Sequence, residues 1–329
     1  MRDYDEDDVR VRPSRRTRPR TKQRPRHAHV VTAIVTAVDR GRFRCELEGD
    51  LTVVTAMKAR ALGHLRAVVG DRVRLTGDTS GAPGSLARIV EVLPRSTLLM
   101  RTADDVTSVE RPLVANADQL GIVVAAADPE PRQGFVDRCL VAAYDAGIRP
   151  LVIVTKTDLA DPSAFLAAYA DLDVPWCAVR PGGAEAVLAD RLAGLATVLV
   201  GHSGVGKSTL VNALVPAADR ATGGVNDVTG RGRHTSTSAV LLDLPGGGSI
   251  IDTPGVRSFG LNHVDPDTVV NAFADLAGGL ENCPRGCTHD EPDCALDDWV
   301  ADGNAPPQRL ASLRRILRTL ADAPEHWES

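Results

Sequence analysis

Between Val30 and about Leu93 the chain alternates apolar and polar positions in short runs: Val30 to Val38, Arg42 to Leu47, Leu51 to Ala56, Arg72 to Leu75 and Ala87 to Val92. A period of two marks half-buried strands, and Asp39-Arg40-Gly41, Glu48-Gly49-Asp50 and Gly77 to Gly84 provide turns between them. Five such strands in roughly 65 residues predict a small β-barrel, and the spacing suits an oligonucleotide-binding barrel and an SH3-like barrel nearly equally. Lys58 to Leu65 reads as a short helix or loop between the third and fourth strands. After Pro94 the texture changes. Gly121 to Ala127 and Leu151 to Val154 are continuous apolar runs on either side of a helical stretch, Phe135 to Ala146, which is the pattern of a βαβ unit in a parallel sheet. Thr197 to Val200, a helix from Lys207 to Leu214, and strands at Val240 to Leu244 and Ser249 to Ile251 continue it. The expected division is therefore a barrel at 28 to 95 and one α/β domain at 96 to 262. Val269 to Leu276 and Gln308 to Ala323 are helical by spacing and flank a cysteine-rich stretch in a last unit, 263 to 329.

Composition adds two things. Hydrophobic residues at 43% and charged residues at 25% are ordinary for a folded globular chain. No apolar run approaches the ~20 residues that span a bilayer, and the charged N-terminus lacks the pattern of a secretory signal, so a reducing cytoplasm and no membrane partner are expected. The net charge of −5 conceals a polarity along the chain. Nine Arg or Lys and no acidic residue lie between Val9 and His27, interleaved with Pro13, Pro19 and Pro25. Residues 1 to 27 cannot bury a core and are expected to be a disordered basic arm, either a binder of RNA phosphates or a solvated tail. The remainder carries 28 basic and 38 acidic residues, a net charge of −10, so any RNA contact by the body must be local.

Candidate chemistry sits in three stretches. Gly201-His202-Ser203-Gly204-Val205-Gly206-Lys207-Ser208-Thr209 follows an apolar strand and opens a helix, the setting a phosphate-binding loop requires. Its glycines let backbone N–H groups curl around phosphates, Lys207 reaches β and γ oxygens, and Ser208 offers a hydroxyl to Mg²⁺. Asp252-Thr253-Pro254-Gly255 ends a strand, which places Asp252 to hold Mg²⁺ through water and the Gly255 N–H to meet a γ-phosphate. Thr155-Lys156-Thr157-Asp158 ends another strand. Asp158 there would accept hydrogen bonds from N1 and N2 of guanine, a donor pair that adenine lacks, with the Lys156 stem along the base. Together these residues imply GTP as ligand, GDP as product and hydrolysis as the reaction.

The guanine-reading stretch precedes the phosphate loop by about 45 residues, the reverse of the order in a Ras-like chain. A barrel, then a GTPase with permuted motifs, then a cysteine/histidine module resembles the ribosome small subunit-dependent GTPase A family over residues 30 to 325. Glu110-Arg111-Pro112-Leu113-Val114-Ala115-Asn116-Ala117-Asp118-Gln119, Gly230-Arg231-Gly232-Arg233-His234-Thr235-Ser236-Thr237 and Asp252 to Gly260 carry the resemblance beside the loop itself. It implies a circularly permuted P-loop GTPase acting in late maturation of the 30S ribosomal subunit, with 16S rRNA contact and subunit-stimulated turnover, working as a monomer. It also marks departures. Thr155 replaces an Asn and is expected to weaken a tie to the phosphate loop; the Ser-Ala that supports guanine is not recognisable near Ala178 to Arg180; and Val256 stands where a Ras-like enzyme has its water-positioning Gln. His234 is the candidate replacement, with an RNA contact as its alternative role. Thr235 resembles the threonine that ligates Mg²⁺, although Ser236 or Thr237 would serve.

Cys283-x3-Cys287-x-His289-x4-Cys294 offers three thiolates and an imidazole within twelve residues, enough for one closed, tetrahedral, structural Zn²⁺ site per chain. The resembling family has one more residue in each outer gap. Two other function classes remain open: a P-loop ATPase or kinase, which Asp158 and the Thr-Pro-Gly after Asp252 disfavour, and an RNA-binding protein that keeps GTP as a structural ligand.

Overall fold

The computed structural model of the protein describes residues 30–104, 107–216, 239–254, 259, 261 and 263–321. The basic arm, His234, Thr235 and Gly255 lie outside the described residues.

The five expected N-terminal strands are β1 (Val31–Asp39), β2 (Arg42–Leu47), β3 (Val53–Lys58), β4 (Arg72–Gly77) and β5 (Ala87–Val92). They pair in the order β1-β2-β3-β5-β4, and β4 returns to β1, so the sheet closes on itself. β3 and β5 run parallel and the other pairs antiparallel. This partly crossed order is the Greek-key arrangement of oligonucleotide-binding barrels and decides between the two candidates left open by spacing. Its core is the inward half of the alternation, with Ala33, Val35, Cys45, Val73, Leu75 and Ile89 fully buried. The segment between β3 and β4 holds one 3₁₀ turn, Arg60–Leu62.

A two-stranded hairpin not anticipated from the pattern, β6 (Leu98–Asp104) and β7 (Thr107–Ala115), leads into the α/β unit. There β8 (Gln119–Ala125), β9 (Arg149–Thr155), β10 (Trp176–Ala178), β11 (Ala196–Val200), β12 (Val240–Asp243) and β13 (Ser249–Asp252) are ordered β10-β9-β8-β11-β13-β12. All neighbours are parallel except β12 with β13. Every residue of β8 is buried because helices cover both faces. On one face lies α1 (Gln133–Asp145); on the other lie α3 (Ala184–Leu192) and α4 (Lys207–Leu214), while α2 (Ser163–Ala167) follows β9.

The C-terminal helices are α5 (Pro266–Asn271), α6 (Ala274–Ala277), α7 (Ala295–Ala301) and α8 (Pro307–Ala321). The single helix expected at Val269 to Leu276 is two, because the chain turns at Ala272 and Phe273 to bury both Val270 and Leu276. Leu296, Leu313 and Ile316 from α7 and α8 join Val136 and Leu140 of α1 in one apolar cluster. Arg315 strengthens this contact with two hydrogen bonds, 2.8 and 2.7 Å, to the buried carboxylate of Asp137. Burial raises the pKa of that carboxyl and the Arg315 charge opposes the rise.

The barrel is tied to the α/β unit at two places. Ala37 of β1 pairs with Val240 of β12, making the barrel continuous with the larger sheet. At the second, the Asn116 amide donates to the Gly70 carbonyl (2.9 Å) and its oxygen accepts from Ser96 N–H (2.8 Å). A Cβ on Gly70, whose φ is +86°, would lie 2.0 Å from the Ala115 carbonyl oxygen, so only glycine fits this crossing. Among the described residues no helix is long and apolar enough to cross a membrane.

Candidate nucleotide site and zinc centre

The parallel register brings the three motif stretches to one edge. Val124 pairs with Val154, Val200 with Ile122 and Leu199 with Asp252, so the carboxyl ends of β9, β8, β11 and β13 are level. Thr155, Gly201 and Asp252 therefore emerge side by side, at the position where open α/β sheets bind ligands. The phosphate loop turns sharply because Gly204 (φ +84°) and Gly206 (φ +88°) occupy left-handed backbone, and Gly206 is the N-cap of α4. Gly201 has Val123 O only 2.7 Å from where a Cβ would stand. Val205 is buried and anchors the loop below, His202 packs against Phe135 of α1 with the rings tilted by 49° and their centroids 4.2 Å apart, and Ser208 and Thr209 face solvent on the first turn of α4.

Lys207 is already aligned. Its ammonium contacts the Asp252 carboxylate and donates to the Thr253 carbonyl at 3.2 Å, while Thr253 Oγ1 donates to Leu199 O at 2.7 Å. The charged ends of loop and Asp252 stretch thus share one small region. Thr155 itself makes a tie to the phosphate loop. Its buried hydroxyl donates to the Val205 carbonyl of the phosphate loop at 2.5 Å, with Val124 O a second acceptor at 3.2 Å. The tie across the site is kept, through one hydroxyl proton where an amide would offer two. Thr155→Val, which retains the shape and removes the donor, should cost about 1 to 3 kcal/mol, seen as a lower melting temperature and weaker GDP affinity. A variant that matches wild type in both would show that the loop does not depend on this bond.

Lys156 has left-handed backbone (φ 55°) and its ammonium donates to the Asp128 carbonyl, which carries the side chain across the carboxyl ends of β8 and β9. Asp158 is exposed and borders a cleft of about 1010 Å³ lined also by Thr157, Tyr169, Trp176, Arg180 and Val187. No phosphate-loop residue lines this cleft, so it abuts the Asp158 end of the site alone. Thr157 Oγ1 donates to Val179 O (3.4 Å), which holds the end of β10 against the Asp158 stretch. Arg180 follows directly in that same cleft, at the place where no Ser-Ala is recognisable. Its place in the cleft was not legible in the sequence because β10 has only three residues.

The likeness to known proteins spans the α/β unit and these strand ends: residues 92–262 match the family model described as RsgA GTPase. This chain belongs to the RsgA GTPase family. Its relatives include the small ribosomal subunit biogenesis GTPase RsgA of Pseudomonas aeruginosa, 42% identical over 274 residues and covering 79% of each chain. The protein of the same name from Ectopseudomonas mendocina is 41% identical over 290 residues, 85% of this chain and 79% of its own. Among solved structures, YjeQ from Thermotoga maritima aligns with a TM-score of 0.63 at 27% identity, over 90% of this chain and 100% of its own. YloQ, described as a circularly permuted GTPase, aligns with the same TM-score at 22% identity over 92% and 99%, a likeness of fold. The RsgA fold seen here is accordingly the circularly permuted GTPase fold, with a barrel before it and a helical module after it.

That module contains the cysteine cluster. Donor atoms of Cys283, Cys287, His289 and Cys294 lie within 4.8 Å of one another. Cys283 Sγ is 3.9 Å from Cys294 Sγ and 3.7 Å from His289 Nδ1, and Cys294 Sγ is 3.8 Å from that nitrogen. Thiolates bound at about 2.3 Å around a tetrahedral zinc stand about 3.8 Å apart, so the donors fit. The shortened outer gaps do not prevent this, because Gly286 (φ +75°) and His289 (φ 66°) turn the chain. Burial raises the pKa of the Cys283 thiol and pushes that of Cys287 up to about 12. Four protein donors leave no position for water, and the site suits structural zinc.

Proposed function

We propose that this protein hydrolyses GTP to GDP and phosphate with Mg²⁺, in the cytoplasm and as a monomer, during late maturation of the 30S ribosomal subunit. The observation that carries the reading is the meeting of Lys207, Asp252 and Thr155 at adjacent strand ends, with Asp158 bordering the neighbouring cleft. The N–H groups of Gly201 to Thr209 and the Lys207 ammonium hold the phosphates, Gly255 N–H meets the γ-phosphate, and Asp158 reads guanine with Thr157 and Lys156 beside it. Ser208 and Thr235, with Asp252 through water, would hold Mg²⁺, and the ion would supply charge neutralisation on the phosphates. Arg180 offers donors to the guanine edge that Asp158 does not read. The relatives' shared name supplies the subunit as partner, and 16S rRNA is the surface suited to a barrel of this connectivity and to the basic arm at residues 1 to 27.

With Val256 unable to orient water, His234 takes that part, a positioning role suited to a loose phosphoryl-transfer transition state. Single-turnover GTP hydrolysis with and without purified small subunits tests the whole reading: stimulation is expected, and its absence would favour GTP as a structural ligand. In His234→Ala, GTP affinity and subunit affinity should stay near wild type while stimulated turnover falls by about 10²- to 10⁴-fold. Turnover that falls only in proportion to lost subunit binding would assign His234 to an RNA contact.

A further inference from the structure

His289 is fully buried, and its two ring nitrogens face different partners. Nδ1 points at the sulfurs of Cys283 and Cys294, while Nε2 lies 2.7 Å from Asp267 Oδ1. A carboxylate oxygen only accepts, so Nε2 carries the proton and the Nδ1 lone pair is left for the metal. Asp267 stands 22 residues before His289, outside the cysteine loop, in the first turn of α5. Among the described residues that helix is the first after β13 and the Asp252 stretch, and Asp265 caps it by accepting the Asp267 N–H at 3.0 Å. The main chain of His289 is held separately: its carbonyl accepts from Arg314 Nε at 2.6 Å, and Arg314 is paired with Asp297. The imidazole and its backbone are thus fixed from α5 and α8 respectively, and neither support comes from the loop between Cys283 and Cys294.

We propose that Asp267 is a positioning residue of the zinc centre. Its carboxylate sets the His289 tautomer and ring orientation, strengthens the nitrogen as a ligand, and fastens the metal loop to the helix that leaves the Asp252 stretch. The zinc loop is therefore completed by a side chain of the segment linking it to the nucleotide site, and displacement of α5 would reach the metal through one hydrogen bond. The inference rests on the zinc assignment of the cluster and is independent of GTP chemistry.

The test uses the full-length zinc-loaded chain and reads transfer of zinc to a chromogenic chelator, together with the ligand-field absorption of the cobalt(II)-substituted protein. Asp267→Ala should weaken zinc retention by about 10- to 100-fold and alter the cobalt bands. Asp267→Asn keeps an acceptor oxygen for Nε2–H but loses the charge, and should fall between Ala and wild type. Asp265→Ala removes the helix cap and leaves the Asp267 carboxylate in place, so its zinc retention should stay within about twofold of wild type. Equal weakening by Asp265→Ala and Asp267→Ala would assign the effect to helix α5 as a whole and overturn the proposal, as would Asp267→Ala with wild-type retention and unchanged cobalt bands. A wild-type chain that holds no zinc would overturn it together with the zinc assignment, whatever the outcome for GTP.

Discussion

Asp158→Asn should exchange a preference for guanine nucleotides for one for xanthine nucleotides. The wild-type carboxylate, exposed at the end of β9 beside the open cleft, presents only acceptors, and guanine meets it with donors at N1 and N2. An amide turns one acceptor into a donor, which opposes the guanine amino group and suits the carbonyl that xanthine carries at that carbon. Each mispaired group covered by the base costs about 1 to 3 kcal/mol, which corresponds to a loss of roughly 10- to 100-fold in GTP affinity and a gain of similar size for XTP. Titration with fluorescent GTP and XTP analogues measures both. GTP affinity equal to wild type would remove Asp158 from base recognition.

Cys287→Ser should release the metal and loosen the C-terminal helices. Structural zinc contributes apparent binding energies of about 10 to 16 kcal/mol in isolated fingers, and a three-ligand remnant retains only a fraction of that. The module here does not depend on metal alone, because Leu296, Leu313 and Ile316 share a cluster with α1 and Arg315 pairs with Asp137. Unfolding should therefore be partial. Hydrogen exchange should rise first around Cys283 to Cys294 and α7, while the phosphate loop, anchored by Val205 and the Thr155 bond, keeps GTP affinity within a few-fold of wild type. Elemental analysis by mass spectrometry decides the premise: wild-type protein purified without about one zinc per chain would eliminate the site.

What could be read from the chain was local. The phosphate loop is legible because its chemistry is contained in consecutive residues: glycines at left-handed φ, then a lysine and a serine at a helix N-terminus. Strands such as β5 and the helix α4 coincide with their expected limits because one period of burial runs through each. The hairpin β6–β7 and strand β10 were missed for the opposite reason. The hairpin pairs mainly with itself and contains Pro112, and β10 is three residues at a sheet edge with an exposed Trp176, so neither shows a sustained period.

By itself the sequence determined the barrel and α/β classes, the nucleotide motifs, their reversed order and the four members of the cysteine/histidine cluster. Each depends on residue type, spacing or short-range periodicity. Only the tertiary structure decided the barrel's strand order, the Thr155 bond to Val205, the pairing of Lys207 with Asp252, and the Asp267 support of His289. These join groups 50, 45 and 22 residues apart in the three bonded cases, and such contacts arise from sheet register and helix packing, which no local pattern encodes.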